Sequence, residues 1–325
     1  MKAWVVERIT EAGEMRLADL PVPEPGPGQY VVQMEAAGLN FLDALMLRGA
    51  YQVKPALPFV PGVEIAGAII AAGPDTELKP GERVFAAIPQ GGFAACALIG
   101  ADAAFPIPED LPGPEAIALL GVNYPTSWYA LNTRAQLRAG ETVLVHAGAG
   151  GVGSAAVQLA LAAGARVIAT AGGAEKVAAC RALGAELAID YTAEDWVRRV
   201  REHTDGLGVD VIFDPVGDAV GEGSLRCLAW MGRYLVIGFA GGRIPGLAAN
   251  RLLLRNAAAL GVFWNEVRER DPEMVQDVQY ELLALYRRRA VEPLIPGRYR
   301  LEEADRAVQA LAGRGTIGKV VLVAE

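Results

Sequence analysis

The stretch Glu141 to Gly164, ETVLVHAGAGGVGSAAVQLALAAG, leaves the chain few folds to choose from. Thr142 to His146 reads as a buried strand, Gly148, Gly150 and Gly153 keep G-x-G-x-x-G spacing, and a helix of small residues is expected to open near Ser154. That order is the fingerprint of a dinucleotide site. One glycine permits the tight turn, the next lets backbone approach a pyrophosphate, and the last lets helix and strand pack closely, while the helix N-terminus offers free N–H groups to the anion. In a chain with 38 glycines the spacing alone arises by chance, so the flanking strand and helix carry the assignment.

Upstream, short apolar runs alternate with turn chemistry: Trp4 to Val6, the proline-rich Pro21 to Gly28, then Tyr30 to Glu35. Gly38 to Tyr51 shifts to helical spacing, with Leu39, Leu42, Leu45 and Met46 three or four apart and Asn40 placed as the cap. Leu57 to Gly73 and Pro80 to Phe85 return to strand, so the first hundred residues predict a β-barrel-like domain with one embedded helix. Helical periodicity from Pro112 to Ala139, interrupted at Tyr124-Pro125, marks the crossover. Strands and helices then alternate through Phe263, including a helix expected over Gly221 to Trp230, which predicts six strands in a doubly wound parallel sheet. The remainder, two helices and a terminal strand at Lys319 to Val323, is too short to stand alone and is expected to return to the first domain. The expected division is therefore 1–122 with 264–325, and 123–263.

With 30 Lys and Arg against 38 Asp and Glu, the net charge of -8 argues against a nucleic-acid surface. Cys96, Cys180 and Cys227 lie far apart with no C-x-x-C, as expected of a reduced, cytoplasmic compartment. The charged N-terminus MKAWVVERIT reads as a first strand rather than a signal peptide. Thr142 to Ala165 carries no charge, but its glycines divide it, so no membrane span is expected.

An NAD site usually has Asp or Glu at the end of its second strand, where the carboxylate binds the ribose 2′-hydroxyl. Here that strand ends Ile168-Ala169-Thr170-Ala171-Gly172-Gly173, with no acid until Glu175. A small-residue turn leaves room for a 2′-phosphate, Lys176 supplies charge, and Tyr191 supplies a hydrogen bond, which together predict NADPH. The alternative reading makes Lys176 a solvated helix residue and Tyr191 a packed strand end.

Alcohol oxidation needs a group to stabilise an alkoxide, either zinc or a Tyr-x-x-x-Lys pair. The two histidines, His146 and His203, have no cysteine near them, and no tyrosine has a lysine four residues on. No metal is expected. Hydride transfer to a quinone or conjugated carbonyl asks less, because such an acceptor is already electrophilic and one or two hydrogen-bond donors suffice.

These features together resemble the zinc-free quinone oxidoreductase branch, zeta-crystallin-like, of the medium-chain dehydrogenase/reductase superfamily. The carriers are GLNFLD at Gly38, LPFVPGVEIAG at Leu57, NYPTSWYAL at Asn123, VLVHAGAGGVG at Val143, TAGGAEK at Thr170, DPVG at Asp214 and GTIGKVVL at Gly315. The resemblance implies an α/β chain: a Rossmann doubly wound six-stranded parallel sheet plus a discontinuous, β-rich GroES-like catalytic domain. The triplet that supplies a zinc ligand in metal-dependent relatives reads Gly62-Val63-Glu64 here, and Asn40 stands where a ligand cysteine falls.

The resemblance further implies that Asn40, Asp43 and Tyr51 border the substrate. It assigns the pyrophosphate to Ala149, Gly150, Gly151, Val152 and Gly153, and the 2′-phosphate to Gly172, Lys176 and Tyr191. Phe239, Phe263 and Trp264 then approach the nicotinamide, with Arg314 and Lys319 on the segment beside the cofactor. Plainer readings stand next to these. Asn40 and Asp43 also fit the start of a helix, Tyr51 beside Gly49 its end, the three aromatics core packing, and Arg314 a helix dipole. The implied activity is an NADPH:quinone reductase, of EC 1.6.5 type, acting on an apolar small-molecule acceptor. An enoyl-thioester or acryloyl-type reductase and a non-enzymatic NADPH-binding protein are the alternatives. A homodimer is expected through the apolar edge strand near Ala257 to Phe263.

Overall fold

A computed structural model describes residues 1–51 and 54–324. The chain divides into two compact units, Met1–Val122 with Pro293–Glu325, and Asn123–Glu292.

The first unit opens with β1 (Lys2–Val5), β2 (Arg16–Asp19), β3 (Gln29–Leu39), β4 (Glu64–Ala72), β5 (Arg83–Ala87), β6 (Cys96–Gly100) and β7 (Ala104–Pro106). The second unit supplies β8 (Thr142–Val145), β9 (Arg166–Ala171), β10 (Leu187–Asp190), β11 (Val209–Asp214), β12 (Leu228–Val236) and β13 (Ala258–Gly261). The chain then returns to the first unit with β14 (Gly297–Arg300) and β15 (Val320–Val323).

In the first unit β1 and β2 form an antiparallel pair, and a larger sheet runs β14-β15-β3-β4-β5-β7 with β6 also on β3. β3 is the spine of this sheet. Its alternation of Tyr30, Val32 and Met34 with Gln33 and Glu35 sends one face into a core shared with Ile65, Ile69, Phe93 and Ile99. The C-terminal segment is locked in by side chains as well as strands: Trp4 Nε1 donates to the Leu301 carbonyl at 2.6 Å.

The second unit is a six-stranded parallel sheet in the order β10-β9-β8-β11-β12-β13. Counted within the unit this is 3-2-1-4-5-6, whose reversal lies between β8 and β11. Both strands end in turns at that point. Gly148–Gly153 follows β8, and after β11 Asp214 Oδ1 accepts from the N–H groups of Val216 and Gly217 at 2.7 and 3.0 Å.

Several expectations are corrected. The second boundary falls at Glu292/Pro293 and not at 264, because the helix Pro272–Arg287 packs on the helix Asn123–Trp128 and Gln158 exchanges two hydrogen bonds with the Glu292 backbone, at 2.9 and 2.6 Å. The helical break lies at Gly121-Val122, and Pro125 sits in the first turn of the next helix, where its missing N–H costs nothing. Residues 228–236 form a strand, so the helix expected over Gly221 to Trp230 is the shorter Asp218–Ser224. Ala249–Arg255 is a helix that was not expected, and none of its residues is buried.

Candidate functional site

The glycine turn works differently from its expected division of labour. The left-handed residue is Ala147, at φ 50, so no glycine of the fingerprint supplies the turn itself. Gly148 is needed for space, since a Cβ there would meet the Ala169 Cβ at 2.8 Å, and Gly153 for a closer approach still, its Cβ falling 2.1 Å from the Ala147 carbonyl oxygen. Gly150 differs: its Cβ would meet only the Ala147 oxygen, at 3.2 Å, which leaves its other side open. The helix opens at Gly151 rather than Ser154, with Gly150 as its cap and no side chain capping it. Ala149 is buried beneath the turn, and Gly151 and Val152 form the first helical turn. The first N–H groups of a helix have no partner within the helix itself, the property by which a helix N-terminus attracts an anion.

Next to it, Gly172 packs under Tyr191, whose hydroxyl would lie 2.7 Å from a Cβ at position 172. Tyr191 is half exposed, and Lys176 is half-buried in the first turn of the helix Ala174–Ala182. The fastener of this loop, Asp190, escaped the sequence reading. Its Oδ1 accepts from Gly173 N–H at 3.1 Å and from Thr192 N–H and hydroxyl at 2.9 and 2.6 Å, bonds that hold its carboxyl below the usual range. Of the aromatics assigned to the nicotinamide, Phe239 and Phe263 are exposed. Trp264 is 6% exposed and packs on Tyr129 with ring centroids 5.8 Å apart.

The polar site of the first unit follows from sheet register. Val320 pairs with Leu39 and Ala37 with Ile65, so the next pairs out are Lys319 with Asn40 and Gly38 with Glu64. Residues two apart on a strand share a face, which brings Asn40, Lys319 and Glu64 together over Gly38. Lys319 Nζ donates to Asn40 Oδ1 and to Glu64 Oε2, both at 2.7 Å. Glu64 Oε1 accepts from Val122 N–H at 2.5 Å. Room for the carboxylate is made by two glycines, because a Cβ at Gly38 would lie 1.7 Å from Oε2 and one at Gly121 2.5 Å from Oε1.

Asn40 caps the helix Phe41–Leu47, and its N–H donates to Asp43 Oδ2 at 2.7 Å. Burial pushes the Asp43 carboxyl up to about 7. The Asn40 N–H opposes that shift, the Glu64 charge adds to it, and the Lys319 ammonium and Gly62 N–H offset part of it. One ammonium thus faces two buried carboxyl groups, and a proton on Asp43 leaves the cluster neutral. Among the described residues, buried Asn40 Nδ2 has no hydrogen-bond partner.

Tyr51 is half-buried against the same core. Lys319 is 3% exposed and hydrogen-bonds Asn40 and Glu64, which makes it part of this cluster. Arg314 is exposed on the turn before it, at φ 57. In the sequence the Gly62-Val63-Glu64 triplet marks only a missing ligand, because the two glycines that accommodate Glu64, Gly38 and Gly121, are remote from it along the chain.

Residues 26–109 match the alcohol dehydrogenase GroES-like domain and residues 151–279 the family described as zinc-binding dehydrogenase. The chain is 38% identical over 301 residues to quinone oxidoreductase-like protein 2 homolog of Nematostella vectensis, covering 91% of this chain and 82% of that one. It belongs to the zinc-free quinone oxidoreductase branch of the medium-chain dehydrogenase/reductase superfamily. The quinone oxidoreductase of Pseudomonas aeruginosa is 36% identical over 312 residues, with 94% of each chain covered. The quinone oxidoreductase of Thermus thermophilus, solved also in its complex with NADPH, superposes with a TM-score of 0.85 at 40% identity, over 99% of this chain and all of that one. Membership of this family makes the chain an oxidoreductase. It also explains the domain order, with a GroES-like unit interrupted by a Rossmann unit.

Proposed function

We propose that the protein is an NADPH-dependent reductase of quinones or conjugated enones, with Asn40 as the group that polarises the acceptor oxygen. One observation carries this reading: a carboxamide buried among charged groups whose Nδ2 protons have no partner among the described residues. A buried donor left open is costly unless a ligand completes it, and the oxygen of an electrophilic carbonyl does so.

The residues of the second unit fit the cofactor. The open side of Gly150 and the first-turn N–H groups of Gly151, Val152 and Gly153 would hold the pyrophosphate, and Lys176 with Tyr191 the 2′-phosphate. Bound NADPH supplies a hydride. Asn40 Nδ2 and the Tyr51 hydroxyl take up the negative charge that develops on the acceptor oxygen as the hydride adds to the conjugated system. A proton from solvent then completes the reduced product. Asp43 holds the Asn40 backbone from below.

The test is a side-by-side panel of benzoquinones, alkenals and short enoyl thioesters with NADPH as reductant. The quinones or alkenals are expected to turn over fastest. Thioester turnover about a hundredfold above every quinone would replace this reading with an enoyl-thioester reductase.

The proposal extends to a homodimer. β13 is the exposed edge of the Rossmann sheet, and Leu253 and Leu254 on the preceding helix are exposed with it, so a second copy pairing edge to edge covers both. Sedimentation as a monomer at micromolar concentration overturns that part.

A further inference from the structure

We infer that Lys319 is a positioning residue whose ammonium, anchored on Glu64, sets the orientation of the Asn40 amide and so decides that nitrogen, not oxygen, meets the acceptor. The inference rests on the reading of Asn40 as the polarising donor. A carboxamide has two faces of opposite character that differ little in shape, and nothing in its own chemistry chooses between them. An ammonium has three donors and no acceptor, so the amide beside it must present Oδ1. Lys319 Nζ does lie 2.7 Å from Asn40 Oδ1, and Nδ2 is the atom left without a partner among the described residues.

The ammonium is itself fixed. Glu64 Oε2 holds it at 2.7 Å, Glu64 Oε1 is tied to the Val122 N–H, and the Lys319 backbone N–H donates to the Leu294 carbonyl at 2.8 Å. Gly38 and Gly121 leave the carboxylate its space, so the line of control runs from two glycines through Glu64 and Lys319 to one amide. Without the ammonium the amide samples both faces, and the oxygen-out face repels an acceptor carbonyl.

The experiment compares Asn40→Asp, the paired variant Lys319→Met with Glu64→Gln, and their combination. The paired variant removes both charges, so neither is left buried alone. With NADPH and 1,4-benzoquinone, Asn40→Asp and the paired variant are each expected to lower kcat about tenfold, a modest share of what one oxyanion donor contributes. NADPH affinity, read by fluorescence titration, should stay within about twofold of wild type, because neither change touches the glycine turn. Adding Asn40→Asp to the paired variant should cost no more than about twofold further, since coupled residues acting as one unit are non-additive. Losses that multiply overturn the inference.

Neutron diffraction from perdeuterated wild-type crystals decides the orientation without turnover and without a variant that must fold. Deuterons on the Asn40 atom remote from Nζ support the inference, and deuterons on the atom facing Nζ overturn it. If the wild type reduces no quinone or enone, the functional reading fails, while the neutron map still reports how the amide is set.

Discussion

The Lys319 ammonium lies 2.7 Å from Glu64 Oε2 with both side chains buried, across 255 residues of sequence. A buried pair of this kind is weak evidence for stability, because desolvation offsets most of the attraction. Its position beside an amide with an open donor gives it a functional reading instead.

The cluster makes stability depend on pH through Asp43. Its carboxyl holds a proton up to about 7 in the folded chain against 3.8 in the unfolded one, so the folded state is favoured at low pH and loses ground as pH rises through 7. The full swing is on the order of 4 kcal/mol. Asp43→Asn, which keeps an acceptor for the Asn40 N–H, should therefore raise Tm relative to wild type at pH 8.5, with the gap shrinking at pH 5. A gap that widens at pH 5 contradicts the assignment.

His146 acts in the opposite sense. Its Nδ1 meets the Thr170 hydroxyl at 2.9 Å and its Nε2 the Ser224 hydroxyl at 2.8 Å, and Ser224 donates its own proton to the Val220 carbonyl. Nε2 therefore carries the ring proton and Nδ1 accepts from Thr170. Burial pushes the imidazole down to about 4 from 6.5, with Asp214 opposing the shift. The stability this neutral ring contributes is fully present above 6.5 and lost as pH falls toward 4, roughly 3 kcal/mol in all. Urea unfolding at pH 7.5 and 4.5 should show a steeper acid loss for wild type than for His146→Gln.

Gly150 and Gly153, three residues apart, should respond differently to alanine. Gly153→Ala places a methyl 2.1 Å from the Ala147 oxygen and should destabilise the unit by about 2–4 kcal/mol, seen as a lower urea midpoint. Gly150→Ala has only a 3.2 Å neighbour and should fold nearly as well while binding NADPH about tenfold more weakly. Equal effects on stability would remove the assignment of Gly150 to the cofactor.

Lys176→Ala tests the 2′-phosphate. With its charge gone, kcat/KM for NADPH should fall about tenfold while that for NADH changes little. An unchanged ratio of the two in steady-state kinetics returns Lys176 to an ordinary place on the helix surface.

The Rossmann unit was legible because its signals are local: a strand, a glycine turn and a helix lie within Thr142 to Ala162, and the strand periodicity repeats through β13. The helix start at Asn40 was legible for the same reason. The Lys319–Glu64–Asn40 cluster was not, because it exists only once β15, β3 and β4 pair in register, and no spacing in the chain announces that. The boundary at 292 escaped because an amphipathic helix does not say which core it covers. Trp264 and Phe263 looked alike as neighbouring aromatics, yet one is buried and the other exposed.

The strand order of the first unit also sets a timetable for synthesis. β15 lies between β14 and β3, so a sheet whose spine is made from residues 29–39 is completed only by residues 320–323. Domains generally form as they leave the ribosome, N-terminal first. Here the second unit has its whole sheet before the first can close, and the edge of β3 that β15 will cover waits through its synthesis. Newly made chains stalled before residue 320 should bind a holdase chaperone, and release on completion of β15 would make the last strand the step that commits the chain to its fold.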